Sequence, residues 1–233
     1  FDFVVFQQNL TGHDQQFAAY LMPLAVLAVL FASAVALFES NVKRLLAFSS
    51  VAQVGYILLG ASLVSVGGLS ASLLHMFNHA LAKGALFLAV MGLAMRYSEL
   101  DLRSLAGAAR RMPWTMSALV VAGLSLIGVP GTAGFISKWY LVSAALDEGA
   151  LGIALVAVVV AGSLMAVVYI WRIIEAAWFT PAAQPAEGIQ EAPAPMLIVI
   201  WLAALANVWF GLVTRVPREL SANAATILLG HLP

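Results

Sequence analysis

The 233-residue sequence has no cysteine and few charged residues. The lack of cysteine excludes disulfides, thiolate metal sites and iron–sulfur clusters. Charged residues make up 9% of the chain, whereas soluble domains carry about 25%. The 11 basic residues balance 11 acidic ones, and this zero net charge argues against nucleic acid as a partner.

Long hydrophobic runs dominate the sequence instead. Hydrophobic residues make up 63% of the chain and the mean hydropathy is +0.98, which places it in a lipid bilayer. The runs predict six spans, at about 18–38, 45–66, 69–95, 114–146, 150–174 and 196–213. No strand alternation and no short-period repeat is visible. The sequence therefore predicts an all-α, polytopic membrane protein.

The polar segments divide this chain further. The predicted parts are an external loop at 1–17, a five-span body at 18–179, a Pro/Ala/Glu-rich cytoplasmic linker at 180–195, and a closing helix with an external tail at 196–233. Gly67 and Gly68 predict a tight turn, and 217–232 predicts a short amphipathic helix. Because the chain opens with Phe1 and 1–17 lacks the features of a signal peptide, we expect a fragment whose upstream part is missing.

Basic residues fall mainly on one predicted face of the membrane. That face carries Lys43, Arg44, Arg96, Arg103, Arg110, Arg111 and Arg172. The opposite face has only Arg215 and Arg218. The positive-inside rule makes the first face cytoplasmic, with both termini outside a cell inner (plasma) membrane. The two remaining basic residues, Lys83 and Lys138, fall within spans.

The third span carries three ionisable residues at intervals of four: His75, His79 and Lys83. Each step of four advances about 40° around a helix, so all three share one face, which we call the relay stripe. A lysine near the middle of a span costs roughly 2.5–3.5 kcal/mol, which favours a functional role.

Three interpretations of the relay stripe compete. The histidines could bond to neighbouring helices and only hold the bundle together. His75 and His79 could be an i,i+4 metal-ligand pair, although no third ligand is evident and the Glu of an HExxH motif is absent. The favoured interpretation is a proton relay, because histidine titrates near neutral pH and a lysine removed from water can release its proton there.

The fourth hydrophobic run is too long for one straight span and breaks at GVPGTAG, residues 128–134. Its helix-breaking residues are Gly128, Pro130, Gly131 and Gly134. Lys138 follows a few residues later. Broken helices recur at ion sites of transporters, so Lys138 is a candidate ion-path residue. The alternative is a proline kink with Lys138 reaching to the membrane surface.

Lys43 begins the second span. It is a candidate for the mouth of a cytoplasmic half-channel, and the alternative is an orientation determinant at the lipid head groups.

Three segments carry a resemblance: NVKRLLAFSSVAQVGYILLG, HMFNHALAKGALFL and SLIGVPGTAGFISKWYL. They resemble the antiporter-like membrane subunits shared by respiratory complex I (NADH-quinone oxidoreductase) and the Mrp cation/proton antiporters. The resemblance covers about 18–179. In that family two inverted five-helix repeats each contain a broken helix and a half-channel. This chain would supply the second repeat and one closing helix.

The resemblance implies roles for single residues. His75, His79 and Lys83 match the family's central relay, and Lys138 matches its broken-helix residue, where some members carry Glu. Lys43 matches a basic residue at the start of the second span. The first repeat, with its Glu–Lys pair, is absent, so either the sequence is a fragment or a partner chain supplies that half.

The segment GFISKWYL resembles the Mrp D-type subunit more than the other members of the family. The function expected is a proton-translocating subunit of a monovalent cation/proton antiporter that exchanges protons, with Na⁺ as a candidate counter-ion. The alternative is a proton-pumping subunit of complex I or a membrane hydrogenase. Lower-ranked are a membrane metal enzyme and a scaffold without flux. We expect no cofactor or metal in this chain, other membrane subunits as partners, and any oxidoreductase activity in those partners.

Overall fold

A computed structural model describes residues 13–181 and 190–230, and these ranges are almost entirely helical. Within them the α-helices are α1 His13–Phe38, α2 Val42–Ala61, α3 Val66–Ala94, α4 Ala108–Arg111, α5 Pro113–Ile127, α6 Ala133–Leu146, α7 Ala150–Ile174, α8 Ala194–Leu212 and α9 Arg215–Leu228. A π-helical turn, Glu175–Phe179, extends α7. In the same ranges the only strand-like pairing is an isolated bridge between Asn41 and Asp101.

Five helices of the described chain are long and apolar enough to cross a membrane: α1, α2, α3, α7 and α8. The apolar helix α5 is shorter, with 15 residues, and α6 follows it after the break. The expected all-α, polytopic membrane protein is therefore confirmed.

Two helix starts differ from the sequence prediction. Helix α1 begins at His13, so the predicted loop is helical from that residue, and residues 1–12 lie outside the described ranges. Gly67 and Gly68 lie inside α3, and the predicted turn there was wrong. Ser65 caps α3 by accepting a hydrogen bond from the Gly68 amide at 3.0 Å. A Cβ on Gly68 would lie 2.5 Å from the Gly60 carbonyl oxygen, so glycine is needed where α3 starts against α2.

The break in the fourth hydrophobic run is present, between α5 and α6. Helix α5 ends at Ile127 and is capped by Gly128, whose φ of +92° is the left-handed conformation that closes many helices. Gly131 also has a positive φ, of +88°. A Cβ on Gly134 would collide with the carbonyl oxygen of Ser125, so α6 starts directly against the last turn of α5. The two half-helices are therefore in contact at the break.

The segments that carry the predicted basic face lie together at one end of the bundle. The Asn41 side chain donates to the Asp101 carboxylate at 3.2 Å, which ties the α1–α2 turn to the loop after α3. Arg172, near the end of α7, donates to the carbonyl oxygens of Leu37 and Glu39. This places a cation at the negative end of the α1 dipole.

The predicted linker returns to the bundle at Glu191. Residues 182–189 of the linker lie outside the described ranges. The Glu191 carboxylate accepts hydrogen bonds from the Trp114 amide at 2.9 Å and the Thr115 hydroxyl at 2.5 Å. The Arg96 guanidinium donates to the Glu191 carbonyl at 3.0 Å. The last part of the linker therefore caps the start of α5.

The amphipathic helix predicted at 217–232 is α9. It packs along α3 and buries Pro217, Ser221 and Ala225. Its other face exposes Val216 and Leu220.

Candidate functional site

Helix α3 holds the relay stripe at the centre of the bundle. It contacts α2, α5, α6, α8 and α9, so its inner face is covered by protein on several sides. His75 and Lys83 are buried, at 2% and 5% exposure, whereas His79 is only partly buried. The three residues predicted to share one face of α3 therefore differ in how deeply they are buried.

Lys83 is held by oxygen atoms of α2. Its Nζ donates to the Leu46 carbonyl oxygen at 2.7 Å and to the Ser49 hydroxyl. It also lies 5.6 Å from the centre of the Phe87 ring. All of these partners are neutral, so the ammonium has hydrogen-bond acceptors and no counter-charge among them.

Lys138 is held at the end of α5. Its Nζ donates to the carbonyl oxygens of Leu126 at 3.1 Å and Ile127 at 2.9 Å, and to the Ser163 hydroxyl of α7 at 3.0 Å. Those carbonyls belong to the last turn of α5, where the helix dipole is negative. The side chain is 6% exposed and does not reach out to the membrane surface.

Neither lysine is paired with a carboxylate of the described residues. Salt bridges found there, such as Arg44 to Glu39 and Arg215 to Glu219, do not involve them. Both lysines rely on carbonyl, hydroxyl and aromatic groups instead. A buried cation without a counter-charge is costly in a membrane.

His75 joins α3 to α2 and α6. Its Nδ1 lies 2.8 Å from the Ser137 hydroxyl and its Nε2 lies 3.1 Å from the Gln53 amide oxygen. Because that oxygen can only accept, the contact favours the tautomer with the proton on Nε2, and Nδ1 then accepts from Ser137. Both ring nitrogens are satisfied.

The ring of Tyr56 lies between His75 and Lys138. It packs edge-on against the His75 ring, with centroids 5.5 Å apart, and its centre is 4.8 Å from the Lys138 Nζ. The Tyr56 hydroxyl points to the Val159 carbonyl oxygen of α7 at 3.4 Å. The relay stripe and the broken helix therefore meet at this ring.

His79 makes no such connection. Its ring is stacked near that of His75, with centroids 6.5 Å apart, and its buried Nδ1 has no hydrogen-bond partner in the described chain. Lys43 is also apart from the others: its side chain is exposed at the start of α2, where its backbone amide bonds to the Asn41 cap at 3.1 Å. The structure thus brings His75 and Lys138 together and leaves Lys43 outside.

Sequence reasoning missed most of the polar partners. Ser49, Gln53, Ser137 and Ser163 were not predicted as partners of the lysines and of His75. The sequence does contain a signal for Ser163, because it is a lone hydroxyl that follows Gly162 in an apolar run. A glycine within a helix indicates a close approach, and in the structure Gly162 makes room for the Tyr56 side chain.

Metal ligands do not cluster in the described chain. No group of three or more His, Asp or Glu residues there could hold a metal ion. His75 uses both ring nitrogens for Ser137 and Gln53, so it has no free nitrogen for a ligand pair with His79.

The fold and the site define a polytopic α-helical membrane protein with one buried lysine on a broken helix and a second on the central helix α3. Residues 2–166 match the model of the family described as "NADH:quinone oxidoreductase/Mrp antiporter, TM". The chain belongs to this family, so the predicted resemblance is confirmed.

Two relatives by sequence are subunits of redox enzymes. The chain is 40% identical over 201 residues to NADH-quinone oxidoreductase subunit N of Desulforudis audaxviator, covering 81% of this chain and 40% of that protein. It is 32% identical over 214 residues to hydrogenase-4 component B of Escherichia coli, covering 83% of this chain and 32% of the relative. This chain therefore spans less than half the length of either relative.

Solved structures show the same fold. The Mrp complex from Dietzia sp. matches with a TM-score of 0.85 at 26% identity, over 93% of this chain and 48% of that one. Respiratory complex I from Thermus thermophilus matches with a TM-score of 0.79 at 21% identity, over 93% of this chain and 46% of that one. The fold is thus shared by antiporter and redox complexes.

Proposed function

We propose that this chain is part of an antiporter-like, proton-translocating subunit of a complex I-like enzyme or a related membrane hydrogenase. Protons pass along Lys83, His75 and Lys138, and any redox chemistry belongs to other subunits. The observation that carries this proposal is the pair of buried lysines, Lys83 and Lys138, each bonded to neutral oxygens. Such a lysine can lose and regain a proton without breaking an ion pair.

This proposal differs from the sequence-based expectation, which was the D-type subunit of an Mrp antiporter on the resemblance of the segment GFISKWYL. The sequence comparisons support the alternative, because the relatives described above at 32–40% identity are quinone oxidoreductase and hydrogenase subunits. The Mrp antiporter remains the second candidate, supported by the structural similarity to the Dietzia complex. We further propose that the chain lies in the plasma membrane with both termini outside.

The first test replaces each lysine in the assembled complex. We expect Lys138→Ala and Lys83→Ala to lower proton flux about tenfold or more, because each removes a proton-binding group from the path. Flux is measured as the pH change in inverted membrane vesicles, with subunit content checked on native gels. The control is Arg103→Ala, which removes an exposed cation.

The outcomes separate the competing functions. Full flux in both lysine variants would overturn the proton path and favour a scaffold subunit. Stoichiometric zinc or iron that is lost on His79→Ala would favour a metal enzyme. Flux that follows quinone reduction or hydrogen oxidation without Na⁺ supports the redox assignment, whereas flux that needs a Na⁺ gradient supports the antiporter.

A further inference from the structure

The relay stripe is interrupted between Lys83 and His75. His79 lies between them on α3 but bonds to neither residue, and its Nδ1 has no partner in the described chain. Lys83 and His75 reach instead to α2, where Lys83 contacts Ser49 and His75 contacts Gln53. Ser49 and Gln53 are four residues apart, so they lie one above the other on the same side of α2.

Tyr169 of α7 faces this side of α2. Its side chain is fully buried, at 0% exposure, and its hydroxyl lies beside the Ser49 and Gln53 side chains. The hydroxyl makes no well-aligned hydrogen bond in the described chain. A buried hydroxyl beside two polar groups with no well-aligned hydrogen bond is unusual, because buried polar atoms are nearly always satisfied.

A tyrosine hydroxyl is suited to join two such groups. It can donate one hydrogen bond and accept another at the same time, and it stays neutral near pH 7. Beside Ser49 and Gln53 it can complete a row of side chains that runs from Lys83 to His75 and does not include His79.

We propose that Tyr169 is a positioning residue for the proton path. Its hydroxyl holds Ser49 and Gln53 so that protons move between Lys83 and His75 across α2 and α7, and not along α3 through His79. This inference rests on the proposed proton-translocating function and adds the route between two of its groups.

The experiment compares three variants in the assembled complex in inverted vesicles. Tyr169→Phe keeps the ring and removes the hydroxyl. Tyr97→Phe is the matched control, because the Tyr97 hydroxyl is also buried without a hydrogen-bond partner in the described chain but lies beyond the end of α3. His79→Leu tests the competing route.

We expect Tyr169→Phe to lower proton flux about tenfold and to raise the ratio of flux in H₂O to flux in D₂O, at unchanged complex content. A residue that only supports packing would leave that ratio unchanged. Tyr97→Phe and His79→Leu should both keep at least about half of the flux, since neither residue connects the groups of the path.

Two results would overturn the inference but leave the proposed function in place, provided that Lys83→Ala and Lys138→Ala are inactive. The first is full flux in Tyr169→Phe, and the second is loss of flux in His79→Leu. Full flux in both lysine variants would instead remove the function itself. If Tyr169→Phe fails to assemble, Ser49→Ala decides: a similar loss of flux supports the route and full flux overturns it.

Discussion

At the scale of single residues, Lys83 and Lys138 have the same kind of environment on two different helices. Each ammonium group is surrounded by carbonyl and hydroxyl oxygens and lies near an aromatic ring. The spacing of the relay stripe predicted that Lys83 and His75 share a helix face. It could not predict their partners, because His75 contacts residues 22 and 62 positions away in the chain.

His75 should contribute more to stability than His79. His75→Leu removes the His75 contact of the buried Gln53 amide, and it leaves the Ser137 hydroxyl with only its bond to the Gly134 carbonyl oxygen. We therefore expect a loss of about 1–2 kcal/mol in the free energy of unfolding. His79→Leu should change it less, because the His79 ring makes no hydrogen bond in the described chain through its buried nitrogen. Thermal unfolding of the purified complex measures both. Equal losses would contradict the assigned hydrogen bonds.

At the scale of elements, the contact between α5 and α6 organises the site. Pro130 and three glycines predicted a break, since these residues disfavour a continuous helix. The sequence could not show that the lysine after the break turns back to the carbonyls before it. That arrangement depends on the backbone path of the loop, which two glycines with positive φ make possible.

Gly128 and Gly131 offer a matched pair for testing that contact. Alanine at either position adopts an unfavourable positive φ, so each variant should lose about 1–2 kcal/mol of stability. A Cβ on Gly128 would also lie 3.1 Å from the Lys138 Cδ, whereas a Cβ on Gly131 has no atom within 4 Å. We therefore expect proton flux to fall in Gly128→Ala and to persist in Gly131→Ala, measured in inverted vesicles at equal complex content.

An equal fall of flux in both glycine variants would mean that backbone strain, and not the position of Lys138, controls transport.

At the scale of the whole molecule, the hydrophobic runs predicted the membrane spans. The distribution of basic residues predicted which loops lie together on one face of the membrane. The type of complex was harder to predict. In GFISKWYL, Ser137 contacts His75 and Lys138 contacts the end of α5. Such residues are engaged inside the chain, so their identity reports on the internal path and carries little information about neighbouring subunits.

The lack of native cysteine makes the proposed orientation directly testable. Single cysteines at exposed positions, Arg103→Cys and Glu148→Cys, can be labelled with a membrane-impermeant maleimide. We expect Arg103→Cys to react only from the cytoplasmic side and Glu148→Cys only from outside, because basic loops stay inside. Reaction from the opposite sides would invert the orientation.

The hydrogen bonds from Lys138 to Leu126 and Ile127 also constrain which other residue could work at that position. Carbonyl oxygens can only accept, so any replacement must bring a donated hydrogen to them. A lysine can do this through the N–H groups of Nζ whether the amine is charged or neutral, whereas a glutamate, as in some members of the family, could do it only as a neutral acid. A lysine could therefore stay bonded to these carbonyls while it loses and regains its proton, and a glutamate would lose the contact when it ionises. What the end of α5 requires is a donated hydrogen, whatever the charge of the group that carries it.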